Sequence, residues 1–273
     1  MIIWKPDRLR FSLTWYAQRF FMLPLVWLVF RVFNHVKVEG LENLREVEGE
    51  SFIFAPNHTT AWDGWVGTVW ALSQRKNLVN RESYTAVFAA PENVPTKLLR
   101  VLVSTLGAIP VDREQGVEQF ALQDTVRLFD EGKTQMILTV YPEGTRSKNG
   151  RLRRKGKPGL GWIQYRTKAP VVPIYHVGGT RMPGFGLKMK IRIGKPLRLE
   201  RWQDEPDELM TWRGITGEVM DSLRVLEHEE LGRDPNAQPP RRRFREGRRS
   251  KAEERKQAKG AAMAARRELV ASS

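Results

Sequence analysis

Residues 51–63 read SFIFAPNHTTAWD, an apolar run followed by a polar turn. The run 51–55 is rich in aromatic and β-branched residues and is closed by a proline, which predicts a buried strand. The apolar spacing over residues 62–73 then predicts a helix. Because α/β proteins bind ligands where a strand ends and a helix begins, this turn is a candidate ligand site.

The same alternation continues along the chain. Segments rich in β-branched or aromatic residues predict four further strands, at residues 36–39, 135–141, 171–177 and 188–193. Helical periodicity predicts four further helices, at residues 95–106, 117–130, 159–167 and 207–230. Alternating strands and helices are typical of an α/β fold. The sequence therefore predicts a central, mostly buried β-sheet flanked by helices.

Composition limits the possible classes of protein. With 41% hydrophobic residues, the 273-residue chain is not wholly disordered. Its 46 Lys and Arg against 31 Asp and Glu give a net charge of +15, which favours an anionic partner: nucleic acid, an acidic membrane surface or a phosphorylated substrate. The lack of cysteine excludes disulfides, thiolate metal sites and a cysteine nucleophile.

The two ends differ from the middle of the chain. Residues 20–30 carry no charged or polar side chain, but a run of eleven is too short to span a bilayer, which takes about 20 residues. Cationic and aromatic residues precede the run, so residues 1–35 are predicted to form a helical anchor lying in a membrane surface. A buried core helix is the alternative.

Residues 232–273 hold 13 Lys and Arg against 5 Asp and Glu, which predicts a solvated basic tail, disordered or loosely helical, rather than a nucleic-acid arm. Residues 36–231 are the predicted central domain.

His58 and Asp63 are the first candidate catalytic residues. A turn followed by the first coil of a helix could bring the Asp63 carboxylate to one imidazole nitrogen of His58. The other nitrogen could then take a proton from a hydroxyl group, as in a general base. The alternative is that Asp63 only stabilises the start of the helix and that His58 is an ordinary loop residue.

Three other segments could contribute to a site. Residues 141–147, YPEGTRS, follow a predicted strand and offer close backbone approach, a hydroxyl and a guanidinium suited to phosphate. The Gly-Pro turn at residues 107–112 leads to Arg113. Pro173 interrupts the strand 171–177, which is expected only at a sheet edge or a bulge. Each segment alone is typical of an ordinary turn or strand.

Together, in this order, the segments resemble the glycerolipid acyltransferase family that includes the PlsC-type 1-acylglycerol-3-phosphate acyltransferases. The family's four motifs are matched by Asn57, His58 and Asp63, by Arg113, by residues 143–147, and by Pro173. The resemblance covers about residues 36–196. One departure is Tyr141, where the family more commonly has Phe.

The resemblance implies the transfer of a fatty acyl group from a thioester to the hydroxyl of lysophosphatidate, giving phosphatidate. His58, held by Asp63, would be the base, and no metal or cofactor is implied beyond acyl-coenzyme A or acyl carrier protein as co-substrate. Arg113 and Arg146 would hold the acceptor phosphate. The remaining motif residues would line the substrate pocket: Asn57, Glu143, Gly144, Thr145 and Pro173.

The implied partners are lysophosphatidate, the acyl thioester, an anionic membrane surface and acyl carrier protein. The resemblance implies a monotopic location at the cytoplasmic face of a membrane. Three alternatives stay open: another acceptor, such as glycerol 3-phosphate or a glycolipid hydroxyl; a nucleic-acid-binding module, which is disfavoured; and a membrane scaffold with a degenerate site. The last is also disfavoured, because the motif residues are present.

Overall fold

The computed structural model describes residues 8–60, 70–74, 83–90, 96–112, 116–117, 119–147, 151–178, 180, 182 and 184–232. The predicted site residues Asp63 and Arg113 lie outside these ranges. So do most of the predicted helix 62–73 and nearly all of the predicted tail. The chain separates into residues 1–235 and 236–273, and the elements below belong to the first unit.

A seven-stranded mixed sheet forms the centre of the described residues. Its strands are β1 His35–Glu39, β2 Phe52–Pro56, β3 Ser83–Ala89, β4 Ala108–Pro110, β5 Gln135–Thr139, β6 Val171–Val177 and β7 Lys188–Ile193. Their order across the sheet is β1-β7-β6-β2-β5-β3-β4. All neighbours are parallel except β6 and β7, which are antiparallel. The predicted α/β class is confirmed.

Helices cover both faces of this sheet. They are α1 Arg8–Ala17, α2 Leu23–Trp27, α3 Lys97–Thr105, α4 Phe120–Glu131, α5 Gly159–Thr167 and α6 Leu209–Glu230, with residues 70–73 also helical. The π-helical turns Gln18–Met22 and Leu28–Val32 join α1 and α2 into one N-terminal helix, residues 8–32. Two short 3-10 helices span Leu41–Val47 and Glu200–Asp204.

Strand β2 explains why both faces need covering. Successive side chains of a strand point to opposite faces, and every residue of β2 is buried. Phe52 and Phe54 pack in a core with Phe30 of the N-terminal helix. Residues 53 and 55 pack in a second core, formed with α4, α5 and α6. The result is a three-layer arrangement of helices, sheet and helices.

The five predicted strands are confirmed to within two residues at each end, and the predicted helices 95–106, 117–130, 159–167 and 207–230 correspond to α3 to α6. Thr96 caps α3 by accepting a hydrogen bond from the Leu99 N–H at 3.2 Å, which fixes the start of that helix. Strands β3 and β4 were missed by the sequence analysis.

Pro173 lies inside the sheet, at a bulge. Antiparallel pairing runs from Val177 to Ile174, opposite residues 190–193, and pairing next occurs between Val171 and Leu197. Between these two pairs β6 advances by three residues, from 174 to 171, whereas the opposite segment advances by four, from 193 to 197. The extra residue in the opposite segment is a β-bulge. Gly194 donates to the Pro173 oxygen at 2.9 Å, and a Cβ at Gly194 would approach the proline ring to 2.8 Å. Of the two predicted settings, edge or bulge, the structure has the bulge.

The N-terminal helix buries one side chain in every four: Thr14, Gln18, Met22, Val26 and Phe30. An α-helix turns every 3.6 residues, so its fourth residue drifts by about 40° at each repeat. The two π turns wind more loosely and offset that drift, which keeps these five residues on one face. The helix therefore lies along the sheet with its other faces exposed.

Residues Ser12–Val32 of this helix are long and apolar enough to cross a membrane, by length and composition alone. The sequence analysis considered only the apolar run of residues 20–30, so it did not predict a stretch of 21 residues. The buried residues of this helix fit the alternative of a core helix, and its location in a membrane surface stays a prediction.

Candidate active site

Two adjacent parallel strands bring the candidate residues together. His58 follows β2, and residues 141–147 follow β5, which pairs with β2. The carboxyl ends of parallel neighbours meet at one edge of a sheet, where α/β proteins place ligands. The Ser147 N–H donates to the His58 oxygen at 2.7 Å, which joins the two segments directly.

Glu143 connects these segments a second time. One carboxylate oxygen accepts the His58 N–H at 2.8 Å and the other accepts the Arg153 N–H at 3.0 Å. The side chain is only 1% exposed, and this burial raises the pKa of Glu143, while the two backbone hydrogen bonds act in the opposite direction. Glu143 therefore fixes the backbone of His58 relative to the loop that contains Arg153.

Asn57 fastens the end of β2 to β6. Its amide oxygen accepts the His176 N–H at 2.7 Å, and its amide nitrogen donates to the His176 oxygen at 3.1 Å. The side chain is buried, so its amide is already engaged by the backbone. Substrate binding by Asn57 stays a prediction, and the observed contacts give the residue a positioning role.

The imidazole of His58 stacks on the ring of Tyr141. The ring centroids are 3.8 Å apart and the planes differ by 24°. Such a stack restricts rotation of the imidazole about its side-chain bonds. The sequence analysis identified Tyr141 only as a departure from the family pattern, and its contact with His58 was missed.

Replacing Tyr141 by Leu should lower the rate of the acyl transfer that the family resemblance implies about twofold to tenfold, because an aromatic pair contributes about 0.5–1.5 kcal/mol and the imidazole would lose its support. Tyr141→Phe keeps the ring and should retain most activity. Steady-state rates measure the first effect, and the ring-proton NMR shifts of His58 should move in the Leu variant only. Equal rates and shifts in both variants would show that the stack has no role.

The turn that contains Glu143 also offers groups to a ligand. Gly144 has a φ of +67°, which favours glycine, and a Cβ there would come within 2.6 Å of the Lys157 side chain. The Thr145 hydroxyl is buried and has no hydrogen-bond partner within the described part of the chain. Because a buried hydroxyl without a partner is costly, Thr145 is a candidate contact for a bound substrate.

Positive charge surrounds the turn. Five exposed cationic side chains form no ion pair with a carboxylate of the described residues: Arg146, Arg153, Arg154, Lys155 and Lys157. Other exposed cations of the chain form ion pairs with carboxylates, for example Arg198 with Glu50 at 2.9 Å. Unpaired cations that lie close in the sequence repel one another, so an anion would be stabilised beside them.

The structure thus brings together His58, Glu143, Gly144, Thr145 and Arg146, and it does not describe Asp63 or Arg113. Pro173 is buried in β6 opposite Ala55, and its predicted substrate contact stays a prediction. Across the described ranges, no group of three His, Asp or Glu side chains could hold a metal ion.

Comparisons with known proteins identify a family, two relatives and a similar solved structure. The family model for acyltransferases matches residues 35–177. A chloroplastic 1-acyl-sn-glycerol-3-phosphate acyltransferase of Brassica napus is 30% identical over 153 residues, 55% of this chain and 40% of that protein. A chloroplastic enzyme of the same name from Arabidopsis thaliana is 29% identical over 153 residues, 55% of this chain and 38% of its own length. This chain therefore matches less than half the length of either plant enzyme.

A solved structure has the same fold. The crystal structure of the 1-acyl-sn-glycerophosphate acyltransferase PlsC from Thermotoga maritima matches with a TM-score of 0.53 and 21% sequence identity, covering 84% of each chain. The match extends well beyond residues 35–177, since it covers most of this chain.

Proposed function

The chain belongs to the acyltransferase family, and we propose that it transfers a fatty acyl group from a thioester to the free hydroxyl of 1-acyl-sn-glycerol 3-phosphate, giving phosphatidate. The observation that carries the proposal is the double connection of His58 to the turn of residues 143–147, by Glu143 and by Ser147. The acceptor follows from the names of the two plant relatives.

The proposed chemistry is a direct transfer. The His58 imidazole takes the proton of the acceptor hydroxyl as its oxygen attacks the thioester carbonyl carbon. The new C–O bond forms, the C–S bond breaks, and the departing thiolate takes the proton from the His58 imidazolium, which restores the neutral base. The chain has no cysteine to form a thioester intermediate, which suits a single transfer. Asp63, outside the described residues, would hold the imidazole in the required tautomer.

The acceptor phosphate would lie beside residues 144–146. Arg146 is exposed and has no carboxylate partner among the described residues, and the Thr145 hydroxyl is without a hydrogen bond there. A guanidinium can donate two hydrogen bonds to one phosphate. Arg113 would supply a second cation from the segment that follows β4. Gly144 and Pro173 would shape the pocket wall.

Arg146→Ala should weaken the use of lysophosphatidate about 10-fold to 150-fold, because a hydrogen bond to a charged group contributes about 1.5–3 kcal/mol. The loss should appear mainly in KM, since the phosphate is bound in both ground and transition states. Arg127→Ala is the matched control: Arg127 is an exposed cation of α4 that pairs with Asp124 at 3.2 Å. An equal loss in both variants would contradict a specific phosphate contact.

The acyl donor is proposed to be acyl-coenzyme A or acyl-acyl carrier protein. Both donors are anionic, so either would be attracted by the cations at residues 153–157. The basic tail would add to attraction for anionic substrates and lipids. Location at the cytoplasmic face of a membrane, with the N-terminal helix in the membrane surface, is part of the same proposal.

The test is acyl transfer from radiolabelled acyl-coenzyme A in detergent micelles, with lysophosphatidate, glycerol 3-phosphate and a glycolipid as separate acceptors. Labelled phosphatidate formed only with lysophosphatidate would support the proposal. Product formed only with another acceptor would keep the acyltransferase chemistry and overturn the acceptor. A parallel reaction with acyl-acyl carrier protein identifies the donor.

A further inference from the structure

Helix α3 presents its apolar side chains to the outside. Leu98 is 81% exposed, Val101 52% and Leu102 54%, whereas Ser104 is the residue of α3 that is buried. A surface helix of a soluble protein normally turns its apolar stripe towards the core. In α3 the apolar side chains face outward and a polar one is buried. Packing within the described chain therefore does not account for the apolar stripe of this helix.

The N-terminal helix holds the end of α3 in place. The Gln18 side chain donates to the Leu106 oxygen at 2.9 Å and to the Thr85 oxygen at 3.0 Å. A Cβ at Gly107 would approach the Gln18 amide nitrogen to 3.0 Å, so the backbone passes close to the helix. The two helices therefore belong to one layer with a fixed arrangement.

Exposed apolar side chains concentrate on this layer. Of the 19 large hydrophobic residues that are exposed in the described ranges, nine lie within residues 13–33 and four in α3. Phe185 is a further one, and its ring meets that of Phe33 edge-on at 5.2 Å. Monomeric soluble proteins rarely expose apolar surface in such concentration, and it usually marks a binding face.

We propose that α3 is a second membrane-contacting element, which forms with the N-terminal helix one apolar face that docks on an anionic lipid bilayer. The charge of the layer favours lipid over a second copy of this chain. Arg19, Arg31 and Lys97 are exposed beside the apolar residues, and anionic headgroups attract such cations, whereas a second copy would present the same cations and repel them.

In the sequence, α3 precedes one of the predicted residues of the candidate site. The segment after α3 forms β4 and continues towards Arg113, for which a phosphate contact is proposed. The docking itself does not depend on the proposed reaction, and it can be tested without measuring activity.

The first test is flotation of the full-length protein with vesicles of phosphatidylglycerol and phosphatidylcholine. The double variant Leu98→Glu, Leu102→Glu should lower the vesicle-bound to free ratio at least about tenfold, since two exposed leucines would no longer enter the lipid. The matched control is Phe120→Glu, Met210→Glu, which changes exposed apolar residues of α4 and α6 and should stay within about twofold of wild type. Deletion of residues 1–33 is unsuitable, because it removes Met22, Val26 and Phe30 from the core.

A second measurement covers the possibility that the double variant fails to fold. Because the chain lacks cysteine, Val101→Cys can carry a single environment-sensitive fluorophore, and Met210→Cys serves as its control. A blue-shifted emission at residue 101, but not at 210, on adding anionic vesicles is the expected result. No shift at residue 101 would overturn the proposal. So would a dimer, detected by light scattering, that is abolished in the variant Leu98→Glu, Leu102→Glu while vesicle binding is unchanged.

Discussion

Replacing His58 by alanine should lower acyl transfer by about 100-fold to 10,000-fold, the usual contribution of a general base. The fold should survive, because the contacts that place residue 58 use its backbone: the N–H given to Glu143 at 2.8 Å and the oxygen that accepts from Ser147 at 2.7 Å. Alanine keeps both, and the imidazole is partly exposed, so its loss opens no buried cavity.

The measurement is the initial rate with lysophosphatidate and acyl-coenzyme A, together with circular dichroism of each protein. His35→Ala is the matched control, since His35 is an exposed histidine at the start of β1 and should leave the rate unchanged. A folded His58→Ala protein with a near wild-type rate would exclude His58 as the base. An equal loss in His35→Ala would point to a general effect on the protein.

The sheet could be predicted only in part, and β3 shows why. Its sequence SYTAVFA mixes polar and apolar residues, so it reads neither as a buried run nor as a clean alternation. In the structure the Ser83 hydroxyl donates to the Gln135 side chain at 2.6 Å, which satisfies that polar group inside the sheet. Such compensation comes from a neighbouring strand 52 residues away, and local sequence does not reveal it. Strand β4 is only three residues long and is contained in a Gly-Pro turn.

For the described part of the candidate site, the sequence predicted which residues lie close together but not the contacts that join them. His58 and the turn of residues 143–147 follow clear strands, so their meeting at one sheet edge agrees with the motif order. The hydrogen bonds that fix them join residues far apart: 85 positions from His58 to Glu143, and 119 from Asn57 to His176. Those contacts require β2 to lie between β5 and β6, an order that the local patterns did not supply.

Gly161→Ala should destabilise the protein by about 3 kcal/mol, the upper end of the usual cost of overpacking. Gly161 lies in α5 where it crosses α6, and a Cβ there would come within 2.7 Å of the Trp212 carbonyl carbon and 2.9 Å of its Cα. These are backbone atoms, so the clash cannot be relieved by rotating a side chain. The helices must separate, which also disturbs the hydrogen bond from the Gly161 N–H to the Thr216 hydroxyl at 3.0 Å.

Gly217→Ala in α6 is the matched control, with the opposite expected sign. No atom lies within 4 Å of a Cβ at that position, so alanine should stabilise the helix by about 0.5–1 kcal/mol. Urea unfolding followed by tryptophan fluorescence measures both changes. Activity should fall in Gly161→Ala alone, because α5 begins just after Lys157, whose N–H donates to the Pro142 oxygen at 2.7 Å beside Glu143. Equal stability of the two variants would mean that α5 and α6 can move apart at little cost, and the candidate site would then not depend on their close packing.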